Sequence, residues 1–202
     1  MAAPTPSPTH LLYLHGFRSS PQSFKAQRLA AWLQAQRPDV HWWCPQLPPS
    51  PAAAWRLLRD GIAAWPQATM AVVGSSLGGF YATAVAEATG CPAALLNPAV
   101  DPARDLEKYI GEQTAFHAPE ARFFFRPEYI AELRALAVPT ITRPARYAAV
   151  IARGDEVLDW REMAGRYPGA RIRLLEGSDH AISDFDEHLP FVLDHLQLTS
   201  PR

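Results

Sequence analysis

Six short apolar runs punctuate the chain: HLLYLHG (10–16), VHWWCP (40–45), MAVVGSS (70–76), AALLNP (93–98), YAAVIARG (147–154) and RIRLLEG (171–177). Their apolar residues are consecutive rather than alternating, the pattern of strands covered on both faces of a parallel sheet. Between them the period becomes helical. LAAWLQA and AAAWRLLRDGIAAW repeat apolar residues at helical spacing, and Ser20-Pro21 and Ser50-Pro51 each offer an N-cap serine ahead of a proline at the first helical position. Strands alternating with helices predict an α/β, doubly wound three-layer sandwich with a mostly parallel sheet and right-handed crossovers.

The alternation lapses between Pro98 and Pro144. There DPARDLEKYIG (101–111) predicts one helix, with Asp101 as N-cap and Gly111 as stop, and RPEYIAELRAL (126–136) predicts another. Joined by EQTAFHAPEARFFF, they suit a helical cap or lid over about 99–144, because long insertions in compact domains commonly cover a binding site. Within it Phe123, Phe124 and Tyr129, with Phe116 and Phe125 beside them, are candidates for lining a substrate channel, although aromatic runs more often pack.

Composition and charge narrow the function classes. With 48% hydrophobic and 19% charged residues in 202, the chain suits one folded domain over 10–198, behind a proline-rich tail (1–9) expected to be flexible. A net charge of −1, with no basic cluster interleaved with aromatics, argues against a nucleic-acid partner. No apolar run approaches the roughly 18 residues of a membrane span. MAAPTPSPTH lacks the basic and apolar parts of a secretory signal, so a cytoplasmic location is expected, with no membrane and no obligate protein partner. Cys44 and Cys91 show no CxxC spacing and are expected to be buried small hydrophobes.

The third run ends in AVVGSSLGGF (71–80), where Gly74-Ser75-Ser76-Leu77-Gly78 fits G-x-S-x-G only when centred on Ser76. A strand before it and the helical run GGFYATAVAEATG after it supply the strand-turn-helix context that exposes a nucleophilic serine. A serine hydroxyl needs a base, and the base needs an orienting acid, in the order Ser, Asp/Glu, His on this architecture. His180, in LLEGSDHAISDF, is the candidate base because among the seven histidines it alone lies in a loop directly after a late strand. Asp155 is the first carboxylate after the strand ending in VIARG, and Asp159 is the fallback, though Asp159-Trp160-Arg161-Glu162 also fits a helix capping box. The oxyanion donors expected are the backbone N–H groups of Leu77, after the serine, and Phe17, in YLHGF (13–17).

Several blocks in order extend this pattern: LLYLHGFRSSPQSFKAQ (11–27), PQLPPSP (45–51), GSSLGGFYAT (74–83), NPAVDP (97–102), GDEVLDWRE (154–162) and DHAISDF (179–185). Through them the chain resembles the YqiA-like α/β-hydrolase esterases of bacteria, from about His10 to Leu196. The resemblance implies an α/β-hydrolase fold and activity on acyl esters or thioesters, acyl-CoA thioesters included, with the family's Ser, Asp and His at Ser76, Asp155 and His180. Ser178, Ile182 and Trp160 depart from the pattern without touching those three positions. The expectation is a carboxylic-ester hydrolase with a small-molecule acyl substrate and no metal or cofactor. The alternative is a ligand-binding or sensing protein on the same scaffold with little turnover.

Overall fold

The computed structural model describes residues 7–199. Six strands, β1 (His10–Leu14), β2 (His41–Trp43), β3 (Met70–Ser75), β4 (Ala93–Leu96), β7 (Tyr147–Ala152) and β8 (Arg171–Leu175), form one sheet in the order β2-β1-β3-β4-β7-β8, with every neighbouring pair parallel. Each predicted apolar run supplies one of these strands. The order reverses between β1 and β3, so the loops leaving their C-terminal ends diverge and open the crevice where α/β sheets place ligands.

The consecutive apolar residues are needed because each strand feeds two cores. Leu12 and Leu14 of β1, Val72 of β3 and Leu95 of β4 face one side, where they meet α2 (Pro51–Ile62), α3 (Leu77–Thr89), α5 (Glu128–Leu136) and α6 (Trp160–Arg166). Leu11, Tyr13, Val73 and Leu96 face the other, under α1 (Phe24–Gln36) and α7 (Phe185–His195). All five of these leucines of β1 and β4 are fully buried, and burying such a side chain is worth roughly 1.5–3 kcal/mol. Helix ends follow local chemistry. Ser50 accepts the Ala53 N–H at 3.1 Å ahead of Pro51, and Gly90 closes α3 in the left-handed region at φ 84°.

Three expectations are corrected. Helix α1 starts at Phe24, not at Pro21, because Ser23 N–H donates to the Ser20 carbonyl (3.0 Å) and closes a turn first. The cap over 99–144 is not purely helical. Helix α4 stops after one turn (Pro102–Asp105), a 3-10 turn follows (Glu107–Tyr109), and Gly111 at φ 127° starts an antiparallel hairpin, β5 (Gly111–Ala115) and β6 (Ala118–Phe125), before the expected second helix. Of the proline-rich tail expected to be flexible over 1–9, residues 1–6 lie outside the described residues, and residues 7–9 are docked rather than loose. Ser7 Oγ donates to the Gln197 carbonyl (2.9 Å), and Thr9 N–H donates to the Thr69 carbonyl (2.7 Å). Among the described residues no helix is long and apolar enough to cross a membrane.

Candidate active site

Strand β3 delivers Ser76 to the crevice, and α3 leaves from the next residue. The turn is so tight that Ser76 takes φ 55° and ψ −122°, a conformation that costs a non-glycine residue about 1–3 kcal/mol and persists only where neighbours enforce it. The enforcement is visible in the backbone: Ser76 N–H donates to the Leu96 carbonyl (2.9 Å), and the Ser76 carbonyl accepts from Gly79 (2.8 Å) and Ala99 (3.0 Å). Flanking glycines allow the approach. A Cβ on Gly74 would stand 2.2 Å from the Gly78 carbonyl oxygen, and one on Gly78 would stand 1.9 Å from that of Leu14.

The structure brings the three residues singled out by order along the chain into one hydrogen-bonded line. His180 Nε2 lies 3.0 Å from Ser76 Oγ, and Nδ1 lies 2.8 Å from Asp155 Oδ2. In the tautomer whose Nδ1–H donates to Asp155, Nε2 is free to accept the serine proton. The Asp155 side chain is fully buried, and its other oxygen accepts the Val157 and Leu158 N–H groups, both at 2.8 Å. Asp159, the fallback acid, instead caps α6 by accepting from Arg161 N–H (2.8 Å).

The loop after β1 closes on Ser76 from the opposite side: a Cβ on Gly16 would lie 3.2 Å from Ser76 Cβ. Among the described residues no protein acceptor takes the Phe17 or the Leu77 N–H, so both remain available beside Ser76. His15 fixes this loop. Its Nδ1 bonds to the Gly16 carbonyl (2.9 Å), Nε2 accepts the Leu47 N–H (3.0 Å), and burial holds its pKa below the usual histidine range. A neutral, structural role for His15 follows.

Three cavities adjoin the line. One of about 500 Å³ contains Ser76, His180 and Lys25; one of about 540 Å³ is walled by Leu47, Leu77, Tyr81 and Phe123; a smaller one of about 160 Å³ reaches Ser76 past Leu106, Tyr109 and Val157. Phe17 borders all three. Of the aromatic candidates, Phe123 lines the second cavity. Phe124 is 57% exposed, turned outward by the alternation of β6, and Tyr129 packs on the Phe125 ring (5.4 Å between centroids); neither borders these cavities, and that expectation is corrected. A further cavity of about 430 Å³ lies at the opposite end of the sheet, near Met70, Pro92 and His195, away from the serine.

Sequence reasoning missed the groups that hold the His180 loop. Asn97, fully buried at φ 42°, donates through Nδ2 to the Asp179 (3.0 Å) and His180 (3.1 Å) carbonyls while its Oδ1 accepts the Ala152 N–H (2.8 Å). Lys25 Nζ donates to the next carbonyl, that of Ala181. Glu156, next to Asp155 in the chain, accepts the His180 N–H at 3.0 Å. The loop is bounded by Ser178 (φ 64°) and Ile182 (φ 50°), and a β-branched residue in that region is a genuine outlier held by its surroundings. The signals available in the sequence were a lysine on the buried stripe of α1 and an asparagine directly after β4.

Metal-ligand types gather at Asp184, Glu187 and His188, but Asp184 is already engaged by Ser178 Oγ (2.5 Å) and by His188 Nε2 (3.1 Å), so the group braces the loop. Burial pushes the Cys44 thiol up to about 12 and that of Cys91 to about 11, which keeps both protonated and unreactive.

The frame is shared with solved structures. A putative hydrolase from Agrobacterium vitis superposes with a TM-score of 0.73 at 16% identity, over 95% of this chain and 91% of that one. Mouse alpha/beta hydrolase domain-containing protein 10 gives 0.71 at 17%, over 96% and 92%. Est1E from Butyrivibrio proteoclasticus gives 0.65 at 15%, over 96% and 90%. At such identities the likeness establishes the fold, an α/β hydrolase fold, and not the reaction. The family assignment rests on the sequence itself: the model described as "Uncharacterised protein family (UPF0227)" matches residues 10–197, and the chain belongs to that family, the YqiA-like one its motifs resemble.

Proposed function

We propose that the protein is a serine hydrolase that cleaves carboxylic esters or thioesters of small-molecule acyl substrates. The observation that carries this reading is the line Ser76 Oγ, His180 Nε2 and Nδ1, Asp155 Oδ2, at 3.0 and 2.8 Å, on a serine held at positive φ. In the proposed cycle the Ser76 proton passes to His180 Nε2 as Oγ attacks the acyl carbonyl carbon. The oxyanion takes hydrogen bonds from Phe17 and Leu77 N–H, each such donor being worth about 3 kcal/mol in the transition state. The intermediate collapses to an acyl-serine, and the departing alkoxide or thiolate takes the proton from His180. Water then attacks the acyl-serine, gives its proton to His180, and leaves as the carboxylic acid when Ser76 recovers a proton.

The walls suggest a division of the substrate. The apolar cavity beside Leu47, Tyr81 and Phe123 suits the acyl chain, and the cavity beside Ser76, His180 and Phe116 suits the departing group. The neighbouring solved structures, one of them an esterase by name and another bound to ferulic acid, accord with an acyl ester.

Treatment with a fluorophosphonate probe, followed by intact mass and peptide mapping, tests the reading. A single adduct on Ser76, absent from Ser76→Ala, is expected, together with loss of kcat by about 10⁴-fold or more in that variant and an unchanged fold. Folded wild type that takes up no probe, yet binds a small acyl ligand, would establish the ligand-binding alternative instead.

A further inference from the structure

Lys25 is out of place by every general rule. It sits in the first turn of α1, the positive end of the helix dipole, where cations are disfavoured, and no acidic residue shares that turn. It is also 91% buried, at 9% exposure, on the stripe that Ala26, Leu29 and Leu33 use for the core. Among the described residues its ammonium makes one hydrogen bond, to the Ala181 carbonyl, and no ion pair within 4.0 Å. Asp179 and Asp155 lie near enough to act on its charge. Two carboxylates against one ammonium leave no surplus positive charge to attract an anionic substrate, so the reason for the lysine lies in the loop it touches.

That loop carries His180. Its three successive carbonyls, at Asp179, His180 and Ala181, are taken by side chains from two other elements: the first two by Asn97 and the third by Lys25. Asn97 directly follows β4 and Lys25 lies on α1, two elements separate in the chain, so the imidazole is fixed by two independent anchors. Resting on the hydrolase reading above, we propose that Lys25 is a positioning residue for His180: as an ammonium it holds the Ala181 carbonyl and faces Asp155 and Asp179, and deprotonation weakens the first contact and removes the charge from the second, closing the working range on the alkaline side.

Burial pushes the Lys25 pKa down to about 8, against the opposing pull of Asp179 and Asp155, so the switch falls within an ordinary assay range. The groups facing it are Asp155 from the loop after β7, and Asp179 and His180 from the loop after β8. Tyr13 of β1, His15 after it and His117 of the hairpin turn share its cavity wall. The stability linkage has the opposite sign. Between about 8 and the ordinary value of 10.5 the unfolded chain holds the Lys25 proton and the folded chain does not, so this residue's contribution to stability grows as pH rises through that window. Activity that falls while stability rises is a signature that a simple packing role does not produce.

The test compares wild type, Lys25→Met and Lys25→Arg with 4-nitrophenyl butanoate as probe substrate, from pH 6 to 10, alongside fluorophosphonate labelling rates and urea unfolding at pH 7.5 and 10. Wild type is expected to lose kcat above pH about 8 with KM nearly constant. Lys25→Met should lose kcat by about 10- to 100-fold at pH 7, show no alkaline limb, and unfold at equal or higher urea. Lys25→Arg, charged throughout, should recover part of kcat and extend the plateau upward, which keeps the test valid if Lys25→Met folds poorly. Labelled wild type with Lys25→Met labelled at the same rate, or an alkaline limb unchanged in either variant, would overturn the role of Lys25 alone; an unlabelled wild type would overturn the serine reading and this role with it.

Discussion

Two segments overhang the C-terminal edge of the sheet, and they are held in opposite ways. The loop of residues 178–183 is gripped by Asn97, Lys25, Glu156 and Asp184, each from a different element, and it tolerates left-handed backbone at Ser178 and Ile182. The β5–β6 hairpin is tied at its tip by one residue: Arg18 donates through Nε to the Thr114 carbonyl (2.7 Å) and through Nη2 to Thr114 Oγ1 (3.2 Å), lies 4.5 Å from the Phe116 ring centre, and accepts the Phe116 N–H on its own carbonyl (2.8 Å). Beneath, Phe17 meets the Phe123 and Phe125 rings at 6.0 and 5.2 Å. The loop that bears the His180 imidazole is over-determined, whereas the hairpin above the cavities is latched through a surface contact. Chemistry needs placement within fractions of an ångström, and access does not.

Breaking each side of this contrast should have graded effects. The largest is expected at the acid: Asp155→Asn leaves the shape intact but turns the Nδ1–H of His180 towards an amide, and kcat should fall by about 10⁴-fold with KM retained, measured on any ester that wild type accepts. An effect below tenfold would transfer the role to another carboxylate. Next comes the grip itself. Asn97→Ala removes two part-buried donations and one buried acceptance, and should cost about 3 kcal/mol in urea unfolding along with tens-fold in kcat. A variant that lost stability but kept kcat would show that the anchors serve folding only.

On the hairpin side, Arg18→Ala should leave kcat within about threefold and raise KM by up to about tenfold for long acyl chains more than short ones, because it loosens a wall and not a reacting group. Equal losses of kcat and kcat/KM would place Arg18 in the transition state. The smallest effect belongs to Asp159→Ala, which should cost about 1 kcal/mol as a lost helix cap and change kcat by less than twofold. That pairing with Asp155→Asn separates two aspartates four residues apart.

The contrast also marks what the sequence could say. The positions of Ser76, Asp155 and His180 were legible because each follows a strand, and strand ends can be read from runs such as MAVVGSS and YAAVIA. The anchors were not, since their partners are remote: Lys25 and Ala181 are 156 positions apart, and Asn97 and His180 are 83 apart. The hairpin escaped for local reasons. Its turn at Phe116-His117 carries none of the Asn-Gly or Asp-Gly signals of tight hairpins, and Pro119 lies within β6, a placement strands accept only at an edge. In a two-stranded sheet both strands are edges, so the usual objection lapses.

The order of the parts along the chain has a consequence for synthesis. The sharp bend at Ser76 draws on β1, β3, β4 and Ala99, all made by residue 99, and N-terminal units fold first as a chain emerges. Asp155 and His180 come from the last quarter, and the clasp of Lys25 on Ala181 joins the first helix to nearly the last loop. A ribosome-bound chain stopped before β8 therefore displays a bent serine with no base to activate it. On the proposed serine-hydrolase reading, reactivity would therefore arrive only once residues 155–180 have joined the bend.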